Sequence, residues 1–103
     1  MRLLIPVLLA GIACAQEQRK ESAKDIFNRQ CAMCHAKDGS GDTGLGRTFK
    51  LRDLRSPEVQ KQTDSELFNI IANGKGKMPA FLNNLGRENV EALVGYIRTL
   101  AGK

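Results

Sequence analysis

The sequence is poor in aromatic residues. It has no tryptophan, one tyrosine and four phenylalanines among 103 residues. It has one histidine, so no spare imidazole is left over for acid–base catalysis. No nucleophile stands beside a base, and no motif that reads nucleic acid accompanies the positive charge. There are no repeats, no low-complexity tracts and no convincing hairpin signals. The periodic segments are helical, which gives an all-α class. A membrane span needs roughly 20 apolar residues. The apolar run from Leu3 to Ile12 is too short for that.

That run has another reading. One charge, Arg2, precedes it, and the small residues Ala13, Cys14 and Ala15 follow. This is the layout of a secretory signal peptide, with cleavage expected after Ala15. A lipoprotein signal ending before Cys14 is the alternative, which would make Cys14 a lipid anchor. Residues 1–15 are thus assigned to the signal, 16–21 to a polar leader and 22–103 to one domain. Removing the first 15 residues leaves 88 and lowers the formal net charge from +5 to +4. The expected location is the periplasm, or a membrane surface if Cys14 is lipidated. A domain this small often needs a staple. With two cysteines and few aromatics left, something else has to fill its core.

Ser22 is a fair N-cap, and apolar spacing predicts a helix from about Ala23 to Cys34. AKDGSGDTGLG, with four glycines and two aspartates, predicts a loop. The basic stretch RTFKLRDLRSPEVQKQ leaves room for a short helix ending near Pro57. Thr63 and Glu66 have the spacing of a capping box, and Gly74 is a natural C-terminal cap. KGKMPAFLNNLG is loop-like. Val90, Leu93, Val94, Ile97 and Leu100 share one face of a final helix. Gly95 within it marks either a close helix crossing or mere tolerance.

The chemistry gathers in CAMCH, residues 31–35, which holds two of the three cysteines and the only histidine. C-x-x-C-H is the attachment signature for c-type haem. Positions three and four apart share one face of a helix. Cys31 and Cys34 can therefore form thioethers to one porphyrin while His35 reaches the iron from the same side. Zinc wants four ligands, usually in two separated pairs, and no second pair exists. A thioredoxin-like pair wants a βαβ context. A disulfide across three helical residues leaves His35 unexplained.

The sixth ligand follows by elimination. With one histidine, bis-histidine ligation within the chain is excluded. Met1 leaves with the signal, and Met33 lies between the tethering cysteines. Met78 remains, stiffened by Pro79; a gap-filling role is its other common fate. Lys75 or Lys77 is the unusual substitute. Ile26, Phe27, Leu67, Ile70, Ile71, Phe81, Leu93, Val94 and Ile97 are expected to form a dry wall. A thioether ligand and burial both favour ferrous iron, so the predicted potential is positive.

These segments together resemble a small bacterial class I cytochrome c. The resemblance covers about residues 20 to 101 and rests on AKDIFNRQCAMCHAKDGSGDTG, the capped helix, and GKMPAFLNNLGRENVEALVGYIRTL. It implies the cytochrome c fold: three main helices plus a possible short helix around one covalent haem. The terminal helices then cross near Phe27 and Tyr96. The family often has a proline in the loop after the haem motif, whose carbonyl orients the histidine. Here that loop reads GLGRTF, and the orienting carbonyl is looked for near Gly46.

The function expected is that of a single-electron carrier with His35 and Met78 as axial ligands, and not an enzyme. The alternatives are a haem subunit of a dehydrogenase or oxidase, and a sensor or peroxidase-like protein with an open iron. Redox proteins are the expected partners, and the chain is expected to be a monomer. Arg47, Lys50, Arg52, Arg55 and Lys61, with Lys75 and Lys77, offer a basic face for an acidic partner, or an ordinary solvated surface.

Overall fold

The computed structural model describes residues 21–103. The signal, its cleavage site, Cys14 and nearly all of the polar leader lie outside them. Seven helices follow in order: α1 (Ala23–Gln30), α2 (Ala32–His35), α3 (Gly44–Phe49), α4 (Pro57–Gln60), α5 (Asp64–Asn73), α6 (Leu82–Leu85) and α7 (Arg87–Thr99). Among the described residues there is no strand, only an isolated bridge between Lys75 and Met78. The class is all-α. No helix among them is long and apolar enough to cross a membrane.

Local chemistry fixes most of the boundaries. Ser22 Oγ accepts from the Asp25 amide at 3.1 Å and starts α1. The capping box at α5 is complete: Thr63 Oγ1 accepts from Glu66 N, and Glu66 Oε1 accepts from Thr63 N. Gly74 ends α5 at φ +81°. Three expectations need correction. The first helix is broken at Cys31, whose φ and ψ are −116° and −30°. Four short helices are present rather than one, and α3 takes in Gly44, Leu45 and Gly46 from the expected loop. Pro57 begins a short helix instead of ending one, with Ser56 as its cap; proline at the first helical position has no amide to waste.

The core is one cluster: Ile26 and Phe27 of α1, Leu67 and Ile71 of α5, Val90, Leu93, Val94 and Ile97 of α7, with Val59, Phe81 and Leu100. The apolar stripe of α7 meets α1 on one side and α5 on the other. Phe27 and Tyr96 stack at 5.2 Å between ring centroids, where the resemblance puts the helix crossing. Arg98 fastens the last turn of α7 to the segment before α5. It donates to the Gln60 and Gln62 carbonyls and pairs with Asp64 at 2.8 Å. Gln60 in turn donates to the carbonyls of Leu54 and Ile97.

Gly95 is exposed, and a Cβ there would meet nothing within 4 Å. It marks no close crossing. Glycine in a helix interior costs about 0.5–1 kcal/mol against alanine. Gly95→Ala is therefore expected to stabilise the protein by about that much, read as a raised midpoint in urea unfolding. An unchanged or lower midpoint would contradict it.

Candidate functional site

The site is built on the turn that carries CAMCH. The amide of Cys31 donates to Phe27 O at 2.9 Å, so the turn grows directly from α1. The amides of Cys34 and His35 both donate back to Cys31 O, at 3.2 and 2.9 Å. Cys31, Cys34 and His35 thus sit within one helical turn. The turn is held from below by the glycine loop. His35 O accepts from Gly41 N at 2.8 Å. Thr43 Oγ1 donates to Cys34 O at 2.8 Å and accepts from Gly46 N at 2.8 Å. One hydroxyl therefore closes the end of α2 and opens α3.

Met78 comes from the other side of the chain. Lys75 and Met78 exchange both backbone hydrogen bonds, at 3.0 and 2.9 Å, around Gly76 at φ +59°. A Cβ at Gly74 would fall 2.7 Å from Met78 O, so the backbone packs too closely there for any side chain. Phe81 N then donates to Ile71 O at 3.0 Å, which returns the loop to α5.

Between the two lies a cleft with two hollows. Cys31, His35 and Met78 line both. The deep hollow has a volume of about 150 Å³ and apolar walls: Phe27, Leu54, Val59, Leu67, Ile70, Ile71, Leu93 and Ile97. Arg52, Gln62 and Lys75 supply its polar groups. The outer hollow, of about 290 Å³, adds Cys34, Met33, Phe49, Leu51, Lys77, Pro79 and Phe81. Six of the nine expected wall residues line the deep hollow and Phe81 lines the outer one. Ile26 and Val94 line neither and belong to the core. Leu54, Val59 and Phe49 were not anticipated, because no local periodicity marks them.

The donor chemistry fits a haem. Two thiols, an imidazole and a thioether face one apolar space. Nδ1 of His35 is buried without a hydrogen-bond partner, an imidazole not satisfied by protein alone. The carbonyl expected near Gly46 does not serve it, since Nδ1 has no partner; Gly46 O accepts from Leu51 N at 2.9 Å. Burial lowers the pKa of His35, which favours the neutral form that can donate a lone pair to a metal. Burial, with Cys34 adding, pushes the Cys31 thiol up to about 11. Among the described residues no group of three or more His, Cys, Asp or Glu side chains is arranged to hold a bare metal ion. The zinc alternative therefore finds no support.

The basic stretch is less available than its composition indicates. Arg47 pairs with Asp42, Arg52 with Glu58 at 3.5 Å and Arg55 with Asp53 at 2.9 Å.

Comparison with known proteins agrees with this architecture. Residues 18–97 match the family model described as Cytochrome C oxidase, cbb3-type, subunit III. Cytochrome c6 of Leptolyngbya boryana is 33% identical over 78 residues, covering 76% of this chain and 88% of that one. The cbb3-type cytochrome c oxidase subunit FixP of Azorhizobium caulinodans is 30% identical over 95 residues, 91% of this chain but 31% of FixP. The solved structure of the KustC0563 c-type cytochrome superposes with a TM-score of 0.73 at 29% identity, covering 79% of this chain and 99% of that one. The chain belongs to the c-type cytochromes, in the family described as Cytochrome C oxidase, cbb3-type, subunit III, and is a small haem c electron carrier rather than an enzyme.

Proposed function

We propose that the chain holds one haem covalently through Cys31 and Cys34, with His35 and Met78 as its axial ligands. It would carry single electrons between redox proteins outside the cytoplasm. The observation that carries this reading is that Met78, from a separate part of the chain, lines both hollows of one cleft together with Cys31 and His35.

The haem supplies a one-electron ferric–ferrous couple. The chain's own residues do the rest. His35, kept neutral by burial, offers a lone pair, and the turn from Cys31 fixes its position. The Met78 thioether, a soft donor, favours the ferrous state. The apolar walls exclude water and disfavour the additional charge of the ferric state, which moves the potential the same way. Held by both His35 and Met78, the metal would keep no position for a substrate to bind.

The test is absorption spectroscopy of holoprotein, wild type beside Met78→Ala. A weak far-red iron–sulfur band is expected in oxidised wild type and should vanish in the variant. The midpoint potential should fall by an amount on the order of 0.1 V, within the ~0.8 V that axial ligands span. Wild type with high-spin iron and no such band would overturn Met78 ligation and bring the sensor reading forward.

The likeness to FixP supports a second reading, in which this domain serves as a subunit of a larger oxidase or dehydrogenase. Co-purification with a membrane complex from the native source would favour it over a free carrier.

A further inference from the structure

The two walls of the cleft belong to different parts of the chain. On the His35 side, α3 packs chiefly on α2. On the other side stands the Lys75–Met78 turn, anchored to α5. No backbone hydrogen bond joins α3 to this turn among the described residues. A side-chain contact spans the gap. Lys77 Nζ lies over the ring of Phe49, 5.7 Å from its centroid. Both residues line the outer hollow with Cys34 and Met78.

The contact is not incidental crowding. Phe49 is 36% exposed and stands outside the core cluster. Lys77 has no acidic partner among the described residues. Each backbone is held: Lys50 ends α3 in the left-handed conformation at φ +56°, and Lys77 sits inside the closed turn. Arg29, a second cation on this hollow, is drawn away to Glu21 at 2.6 Å.

We propose that Lys77 and Phe49 are positioning residues, a clasp across the cleft mouth that holds the Met78 turn against the His35 wall. The clasp sets how readily an outside ligand displaces Met78. The inference rests on Met78 being an axial ligand. Displacement requires the turn to swing outward, and that motion breaks the contact first. An exposed cation–π contact corresponds to a roughly two- to fivefold change in such an equilibrium.

The experiment is a titration of ferric holoprotein with imidazole, followed by the loss of the far-red band. It compares wild type, Lys77→Met, Phe49→Leu, the double variant and Lys77→Arg. Each single loss should raise imidazole affinity about two- to fivefold. The double variant should gain no more than either single, because both remove the same contact. Lys77→Arg keeps a cation over the ring and should stay near wild type. Urea midpoints should fall only slightly in the variants that lose the contact, since one exposed contact is removed. Unchanged affinity, fully additive gains or failure of arginine to rescue would overturn the clasp while leaving Met78 ligation intact. Absence of the band in wild type would remove the ligation reading, and the clasp with it.

Discussion

Gly46→Ala is expected to destabilise the holoprotein by about 3 kcal/mol or more, at the upper end of overpacking penalties. The cause is purely steric, since Gly46 does not have a positive φ. A Cβ there would fall 2.0 Å from Gly41 O and 2.7 Å from Cys34 O. Both are backbone atoms, one in the supporting loop and the other in the CAMCH turn itself. Neither can rotate away as a side chain tip would. Relief requires α3 to lift from the turn, which breaks the Thr43 bonds to Cys34 O and Gly46 N. Gly44→Ala is the matched control. It lies in the same helix with nothing within 4 Å of the added carbon, and it should be neutral or slightly stabilising. Denaturant unfolding of both variants checks the pair. Equal midpoints for the two would show that the loop yields far more easily than its packing indicates.

The second large effect concerns the cofactor. A chain with Cys31→Ala and Cys34→Ala, made without haem, is expected to show no cooperative unfolding transition. The deep hollow alone has a volume of about 150 Å³. An unfilled apolar cavity costs ~24 cal/mol per Å³, so this one would cost about 4 kcal/mol if the walls held their places. Whole domains are stable by only about 5–15 kcal/mol, and small ones sit at the low end. Leu67, Ile71, Leu93 and Ile97 would then be free to collapse onto one another in several ways, and α5 and α7 would lose their common register. Circular dichroism during heating is the measurement. A sharp melt from native-like helix content would show that the protein core suffices without haem.

Much of this arrangement was legible in the residues. The capping box of Thr63 and Glu66, the glycine stop at Gly74 and the apolar stripe of α7 depend on local chemistry, and all are where spacing puts them. Met78 was reached by elimination, and the structure brings it to the same cleft as His35. The misreadings come from forces that act between segments. Gly44, Leu45 and Gly46 look like loop because glycine is a poor helix former. The Thr43 cap and close seating on the Cys34 carbonyl override that propensity. Pro57 reads equally well as an end or a beginning until Ser56 is seen to cap the turn after it. The meeting of Lys77 with Phe49, 28 positions apart in the chain, has no signature in either neighbourhood.

The Thr43 hydroxyl bears on the order in which the parts of the molecule take shape. Its bond to Cys34 O closes a loop of nine residues, and the one from Gly41 to His35 O closes six. The packing of Phe27 on Tyr96 closes 69. Loop entropy grows as (3/2)RT ln n, so the long closure costs roughly 2 kcal/mol more than the nine-residue one. The turn bearing both cysteines and the histidine thus has its shape specified by its immediate neighbours, and α7 is recruited only at the greater entropic cost. If the cofactor is fixed to Cys31 and Cys34 before the core closes, as proposed, the attachment site is a segment whose shape depends little on the rest of the fold.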